Sequence, residues 1–135
     1  MIVVDTPTIL IEWDEKEKWL RFQHRSFLDG AEYRRVLTQG LEVMIAKNAT
    51  KILWDLRKMR VLTPEDQAWA ERDWTPRLLK ESKVRRSAAV IPQSALARLT
   101  LKRVEERTAP IVENTLISRN FATIEEAEAW LRAEG

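Results

Sequence analysis

Few side chains in this sequence are capable of covalent or acid–base work, and they are widely spaced. It has one histidine, His24, no cysteine, and three isolated glycines, Gly30, Gly40 and Gly135. No nucleophile–base pair, metal-ligand cluster or glycine-rich phosphate loop is therefore spelled out. His24 falls in a strand-like stretch and reads as structural, and Gly40 falls on the apolar side of a helical pattern, where close packing explains it. Asp55 is the carboxylate best placed for chemistry, because polar groups at the C-terminal ends of buried strands often face a site crevice. Its plain alternative is a partner for Arg57 or for a loop amide. Thr63-Pro64-Glu65-Asp66 has the composition of a helix start: the Thr63 hydroxyl accepts an amide of the first turn, Pro64 takes the first helical position and Asp66 completes a capping box. Glu125, Glu126 and Glu128 belong to a capped surface helix. The expectation is no catalytic residue, no metal and no cofactor.

These residues need elements to position them, and hydrophobic periodicity supplies an order. Met1 to Pro7 reads as an entry strand. Thr8 to Trp13 and Lys18 to His24 form a hairpin around a four-residue turn. Asp29 and Glu32 are spaced for a reciprocal cap, and Tyr33, Val36, Leu37, Gly40, Leu41, Met44 and Ile45 then recur at helical spacing up to Asn48. Lys51 to Leu56 is a strand whose run Ile52-Leu53-Trp54 suits burial on both faces. A helix follows from Pro64 to about Glu81, kinked or restarted at Pro76, which lacks an amide hydrogen. Arg86 to Ile91 is the next strand, Ser94 to Arg107 the next helix, and Pro110 to Arg119 holds the last strand. Thr123 and Glu126 cap a final helix that carries Ile124, Ala127, Trp130 and Leu131 on one face and stops before Gly135. The order ββαβαβαβα implies an α/β single domain, residues 1–135, with a mixed, mostly parallel five-stranded sheet and helices packed on it.

Composition agrees with this. With 135 residues, 33% charged and 44% hydrophobic, the chain has the size and balance of one globular domain with a real core. The N-terminus lacks the basic lead of a signal peptide, the longest uncharged run, Ser87 to Ala97, is too short to span a bilayer, and the lack of cysteine suits an intracellular, cytoplasmic home. Six tryptophans are an unusual load. Each, if fully buried, contributes roughly 4 to 6 kcal/mol of gross apolar transfer, so most must be core. Ala70, Trp74 and Leu78 define an inner stripe on the helix after Thr63. Trp69 lies about 140° from Trp74 by the α-helical period, and so off the core, a candidate anchor for a partner or a lid over a pocket.

Residues 77 to 107 hold nine basic side chains (77, 80, 83, 85, 86, 98, 102, 103 and 107) against three acidic ones (81, 105 and 106), a local +6 within an overall +2. Such a bias can attract an acidic protein, a phosphate-bearing ligand or a membrane surface. The i, i+4 spacing of Arg98, Lys102 and Glu106 matches a solvated helix face instead. With no stacking platform or base-reading motif, nucleic acid is not an expected partner.

The strand order, together with Ile52-Leu53-Trp54-Asp55-Leu56, Leu62-Thr63-Pro64-Glu65-Asp66, the run Ile91-Pro92-Gln93-Ser94-Ala95-Leu96-Ala97-Arg98 and the ending Phe121 to Leu131, resembles the STAS superfamily, specifically its bacterial SpoIIAA-like branch. The resemblance implies a non-catalytic regulatory or protein-interaction module, like the anti-sigma-factor antagonists that are switched by phosphorylation of a serine at the N-terminus of the helix after the third strand. Thr63 is the matching position, but Pro64-Glu65-Asp66 follows it and no serine lies between Leu56 and Glu81, so the family's phosphorylatable serine motif is missing. Asp55, Arg57, Met59, Leu62, Thr63, Trp69 and Trp74 form the expected partner or ligand surface, with an unknown protein or a second copy of the chain as partner. The resemblance also suggests an alternative, a carrier or sensor of a small apolar or lipid-like ligand lined by Trp69, Trp74, Met59 and Leu62. A deep apolar cavity beside the helix favours the carrier, whereas a filled core with an exposed Trp69 favours the interaction module. An enzyme built around Asp55 is the third reading, and requires a polar pocket with a perturbed carboxylate.

Overall fold

The computed structural model describes residues 1–133, so the proposed helix stop at Gly135 lies outside the described residues. Six strands form one sheet: β1 (Ile2–Asp5), β2 (Ile9–Asp14), β3 (Trp19–His24), β4 (Lys51–Asp55), β5 (Arg86–Val90) and β6 (Ile117–Phe121), hydrogen-bonded in chain order. The first three are antiparallel, and β3 to β6 run parallel. The expected strand count of five is corrected to six. The extra strand is the entry strand read at Met1 to Pro7, which the count of five left out; it pairs with β2 as a short edge strand on which only Val4 is buried.

Helix α1 (Gly30–Lys47) crosses from the hairpin to β4 and lays Tyr33, Val36, Leu37, Gly40, Leu41 and Met44 on the core. Gly40 makes that approach feasible, because a Cβ there would come within 2.7 Å of the Phe22 ring. Asp29 occupies the N-cap position without a side-chain bond, and Glu32 instead accepts from the Thr8 hydroxyl at 2.8 Å. The Gly30 amide donates to Asp66 at 2.9 Å, so a carboxylate from a distant helix replaces the reciprocal local cap expected from Asp29 and Glu32.

Thr63 caps α2 (Pro64–Trp69) as expected, its hydroxyl accepting from the Asp66 amide at 3.1 Å. The Asp66 carboxylate reaches α1 rather than closing the capping box. The irregularity assigned to Pro76 falls earlier: residues Ala70–Trp74 form a π-helical turn, closed by the Thr75 amide donating to the Ala70 carbonyl, before α3 (Thr75–Glu81) resumes. A proline ring collides with the carbonyl four residues back, and a widened turn just upstream relieves that collision.

The next helix, α4 (Ala95–Val112), is longer than expected. It runs through Pro110, so the last strand begins at Ile117 rather than in the region of Pro110. Pro110 stands on the exposed side of the final turn, where the carbonyl it leaves unbonded can meet water. Helix α5 (Ile124–Ala133) carries the Thr123 cap, with the Thr123 hydroxyl accepting from the Glu126 amide at 3.2 Å.

The helices divide between the two faces of the sheet. Helix α5 packs on β4, β5 and β6, over Trp19, Leu53, Ala88 and Val90. The other face holds the larger core, where Phe22 stacks on Trp54 with centroids 4.3 Å apart and Trp74 meets both rings edge-on.

Candidate functional site

Cross-strand register places His24 at the end of β3 on the same face as Leu20 and Phe22. Ile52 and Trp54 follow on β4, Ser87 and Ala89 on β5, and Ser118 and Asn120 on β6. Toward β5 and β6 these side chains become small or polar. Helix α4, above them, buries only Ala97 and Thr100. Large side chains therefore do not fill the space between helix and sheet, and a cavity of about 180 Å³ remains there.

Its walls are mainly apolar: Trp54 and Leu56 from the β4 end, Met59 and Leu62 from the loop, Trp74 from the π-helical turn and Leu101 from α4. Trp54 is oriented by its indole N–H, which donates to the Ser87 hydroxyl at 3.1 Å, and Trp74 by a 2.8 Å bond to the Leu37 carbonyl. The rim beside β6 is formed by the exposed Glu105, Ser118, Arg119 and Asn120, with the Asn120 amide donating to the Glu105 carboxylate at 3.1 Å. Away from that rim the lining includes His24 and Tyr33, each 5% exposed. Burial lowers the His24 pKa to about 4 despite the opposing charge of Asp55, so its imidazole is neutral at physiological pH. Burial, reinforced by the charge of Asp66, likewise pushes the Tyr33 phenol up and keeps it protonated.

The sheet separates the residues expected to form one surface. Met59, Leu62 and Trp74 are buried and line the cavity. Asp55 alternates with Trp54 along β4 and so belongs to the α5 face, where Arg57 binds its carboxylate at 2.9 and 2.7 Å and Arg21 approaches to 3.6 Å. Burial raises the Asp55 pKa, but the hydrogen bonds and charges of these arginines outweigh that and hold it below the usual carboxylate range. Asp55 is thus an ion-paired acid outside the cavity, the arrangement named as its plain alternative.

Trp69 does not stand off the core as an exposed anchor. It is half-buried, edge-on to Tyr33 at 5.7 Å and beneath the Arg34 guanidinium, and it is not part of the cavity lining. The π-helical turn is the cause. Residues five apart come over one another in such a turn, so Trp69 rotates toward the side of Trp74 instead of lying about 140° away. Thr63 is half-buried, its hydroxyl engaged as the cap.

The basic segment is largely occupied locally. Arg77 pairs with Glu81, Arg107 with Glu71, Arg98 binds the carbonyls of Pro92 and Gln93, and Arg86 lies over the Trp130 ring. Arg98, Lys102 and Glu106 are exposed, as the helical spacing indicated. No group of three or more histidine, cysteine, aspartate or glutamate side chains among the described residues is placed to hold a metal ion, and no helix among them is long and apolar enough to cross a membrane.

His24, Tyr33, Ser87 and the α4 lining were not among the expected site residues. For His24 a signal existed: it alternates with Leu20 and Phe22 and so had to share their buried face. For α4 there was none, since an apolar stripe that lines a cavity looks the same as one that fills a core.

No protein-family model matches the chain, and no curated protein does. Among solved structures it is similar to an uncharacterised protein of the DUF3478 family, with a SpoIIAA-like fold, from Shewanella loihica PV-4. The two are 21% identical, with a TM-score of 0.61 over 95% of this chain and 97% of that one. The fold of this chain is SpoIIAA-like.

Proposed function

We propose that this domain is a non-catalytic binding module that takes up a small apolar molecule in the cavity between the sheet and α4. The cavity of about 180 Å³ carries this reading, because it is walled by Trp54, Met59, Leu62, Trp74 and Leu101. An apolar cavity of about 150 Å³ accommodates benzene, so the space suits a single substituted ring or a short branched chain rather than a long acyl tail. The carrier alternative thus takes precedence over the protein-interaction module. Three of its four expected lining residues form the wall, whereas the surface expected for the module is divided by the sheet and partly buried. The paired state of Asp55 gives no support to a catalytic reading.

Native mass spectrometry of freshly purified protein tests this, alongside an Ala89→Leu variant whose side chain projects from β5 into the cavity. The wild-type chain is expected to carry a small molecule that is lost on denaturation, or to take up added toluene, and the filled variant to do neither. Equal uptake by both chains, or none by the wild type at millimolar toluene, refutes the proposal.

A further inference from the structure

We infer that the end of the cavity lined by His24 and Tyr33 is a recognition site for a neutral hydroxyl group, so that the molecule bound is an apolar ring or chain carrying one alcohol or phenol oxygen. This rests on the cavity being a binding site and adds the chemistry of its ligand.

Both side chains line the cavity and both are about nineteen-twentieths buried. Neither the imidazole of His24 nor the phenol oxygen of Tyr33 makes a hydrogen bond among the described residues, and neither is one of the fully enclosed unpartnered atoms, which are Arg21 Nε and Asp66 Oδ1, so both keep accessible hydrogen-bonding capacity. Of the other buried polar groups in the lining, Trp74 binds the Leu37 carbonyl and Ser87 accepts from Trp54, whereas the Thr75 hydroxyl makes no hydrogen bond among the described residues. Polar side chains with unused hydrogen-bonding capacity on the wall of an otherwise apolar space mark where a ligand's polar atom can be met.

Their chemistry restricts that atom. A neutral imidazole presents one donor and one acceptor nitrogen, and a phenol can do either, so together they match a group that both donates and accepts, as a hydroxyl does. An anionic head is disfavoured because, among the described residues, no free cation lines this end. Arg57 and Arg21 are committed to Asp55, and Arg34 to Asp66, while Arg119, the arginine in the lining, stands at the β6 rim.

The test compares p-cresol with toluene, which differ only in the hydroxyl, by calorimetric titration of the full chain and by NMR shifts of the Trp54 and Trp74 indole N–H groups. In a cavity without polar partners the hydroxyl loses its water and gains nothing, so toluene binds more tightly. With His24 and Tyr33 as partners, p-cresol is expected to bind roughly five- to tenfold more tightly than toluene. That preference should fall to near unity or invert in Tyr33→Phe, which keeps the ring and its packing, and in His24→Phe. Equal binding of the two compounds, or a toluene preference in the wild type, overturns the inference while leaving the cavity as a binding site. A p-cresol preference that survives both substitutions overturns the assignment to these residues. If neither compound binds at millimolar concentration, the binding reading and this inference fall together.

Discussion

At the scale of single residues, His24 is a group whose burial shifts its titration within the range where proteins are ordinarily handled. Its pKa falls from an ordinary value near 6.5 to about 4 because the neutral ring is buried. In the unfolded chain the imidazole still titrates near 6.5, so between about pH 6.5 and 4 the unfolded state binds more protons than the folded one. Stability is therefore full above pH 6.5 and declines as the pH falls toward 4, by roughly 3 kcal/mol over the window. Urea unfolding at a series of pH values should show this slope, and His24→Phe should flatten it. An unchanged slope in the variant would assign the loss to carboxylates instead. Asp55 contributes in the same direction at lower pH, since its depressed pKa makes the arginine pairs stabilising until the carboxylate protonates. The depth of burial behind these shifts is not legible from chain neighbours, although alternation with Leu20 and Phe22 puts His24 on a buried face. The Asp55 pair with Arg57 was legible, because two residues beyond a strand end is within reach of a carboxylate.

At the scale of elements, α1 and α4 have the same length and contrasting attachment. Both span eighteen residues, but α1 buries six of them and α4 two. Burial of an apolar face is what stabilises a helix in a protein, so α4 is held weakly for its length compared with α1. Its side-chain ties beyond packing are surface contacts, Asn120 to Glu105 and Arg107 to Glu71. Amide hydrogen exchange on the minutes-to-hours scale should accordingly show α4 exchanging well before α1, with p-cresol slowing α4 selectively. Uniform protection of the two helices would contradict this account. The elements themselves were largely readable, because amphipathic spacing and cap residues are local. Misplacements fell where distant contacts intervened: Asp66 caps α1 from α2, and a π-helical turn upstream of Pro76 rotates Trp69 onto Tyr33.

For the whole molecule, one sheet carries every helix, and Phe22, Trp54 and Trp74 join β3, β4 and the π-helical turn in one aromatic cluster. A domain of this size with a shared sheet is expected to unfold as a unit. Tryptophan fluorescence and far-ultraviolet circular dichroism should give coincident urea transitions, and separate midpoints would mean that α4 and its cavity melt independently. The sequence by itself determined the mixed, mostly parallel α/β order, the caps at Thr63 and Thr123, the tight seat of Gly40 and the SpoIIAA-like resemblance, because periodicity, capping and turn chemistry act over a few residues. Only the tertiary structure decided that Asp55 and Trp74 lie on opposite faces of the sheet, that α4 stands over a space its side chains do not fill, and that His24 and Tyr33 both line one cavity. Those outcomes depend on summed side-chain volumes and on contacts between residues far apart in the chain, which no local pattern records.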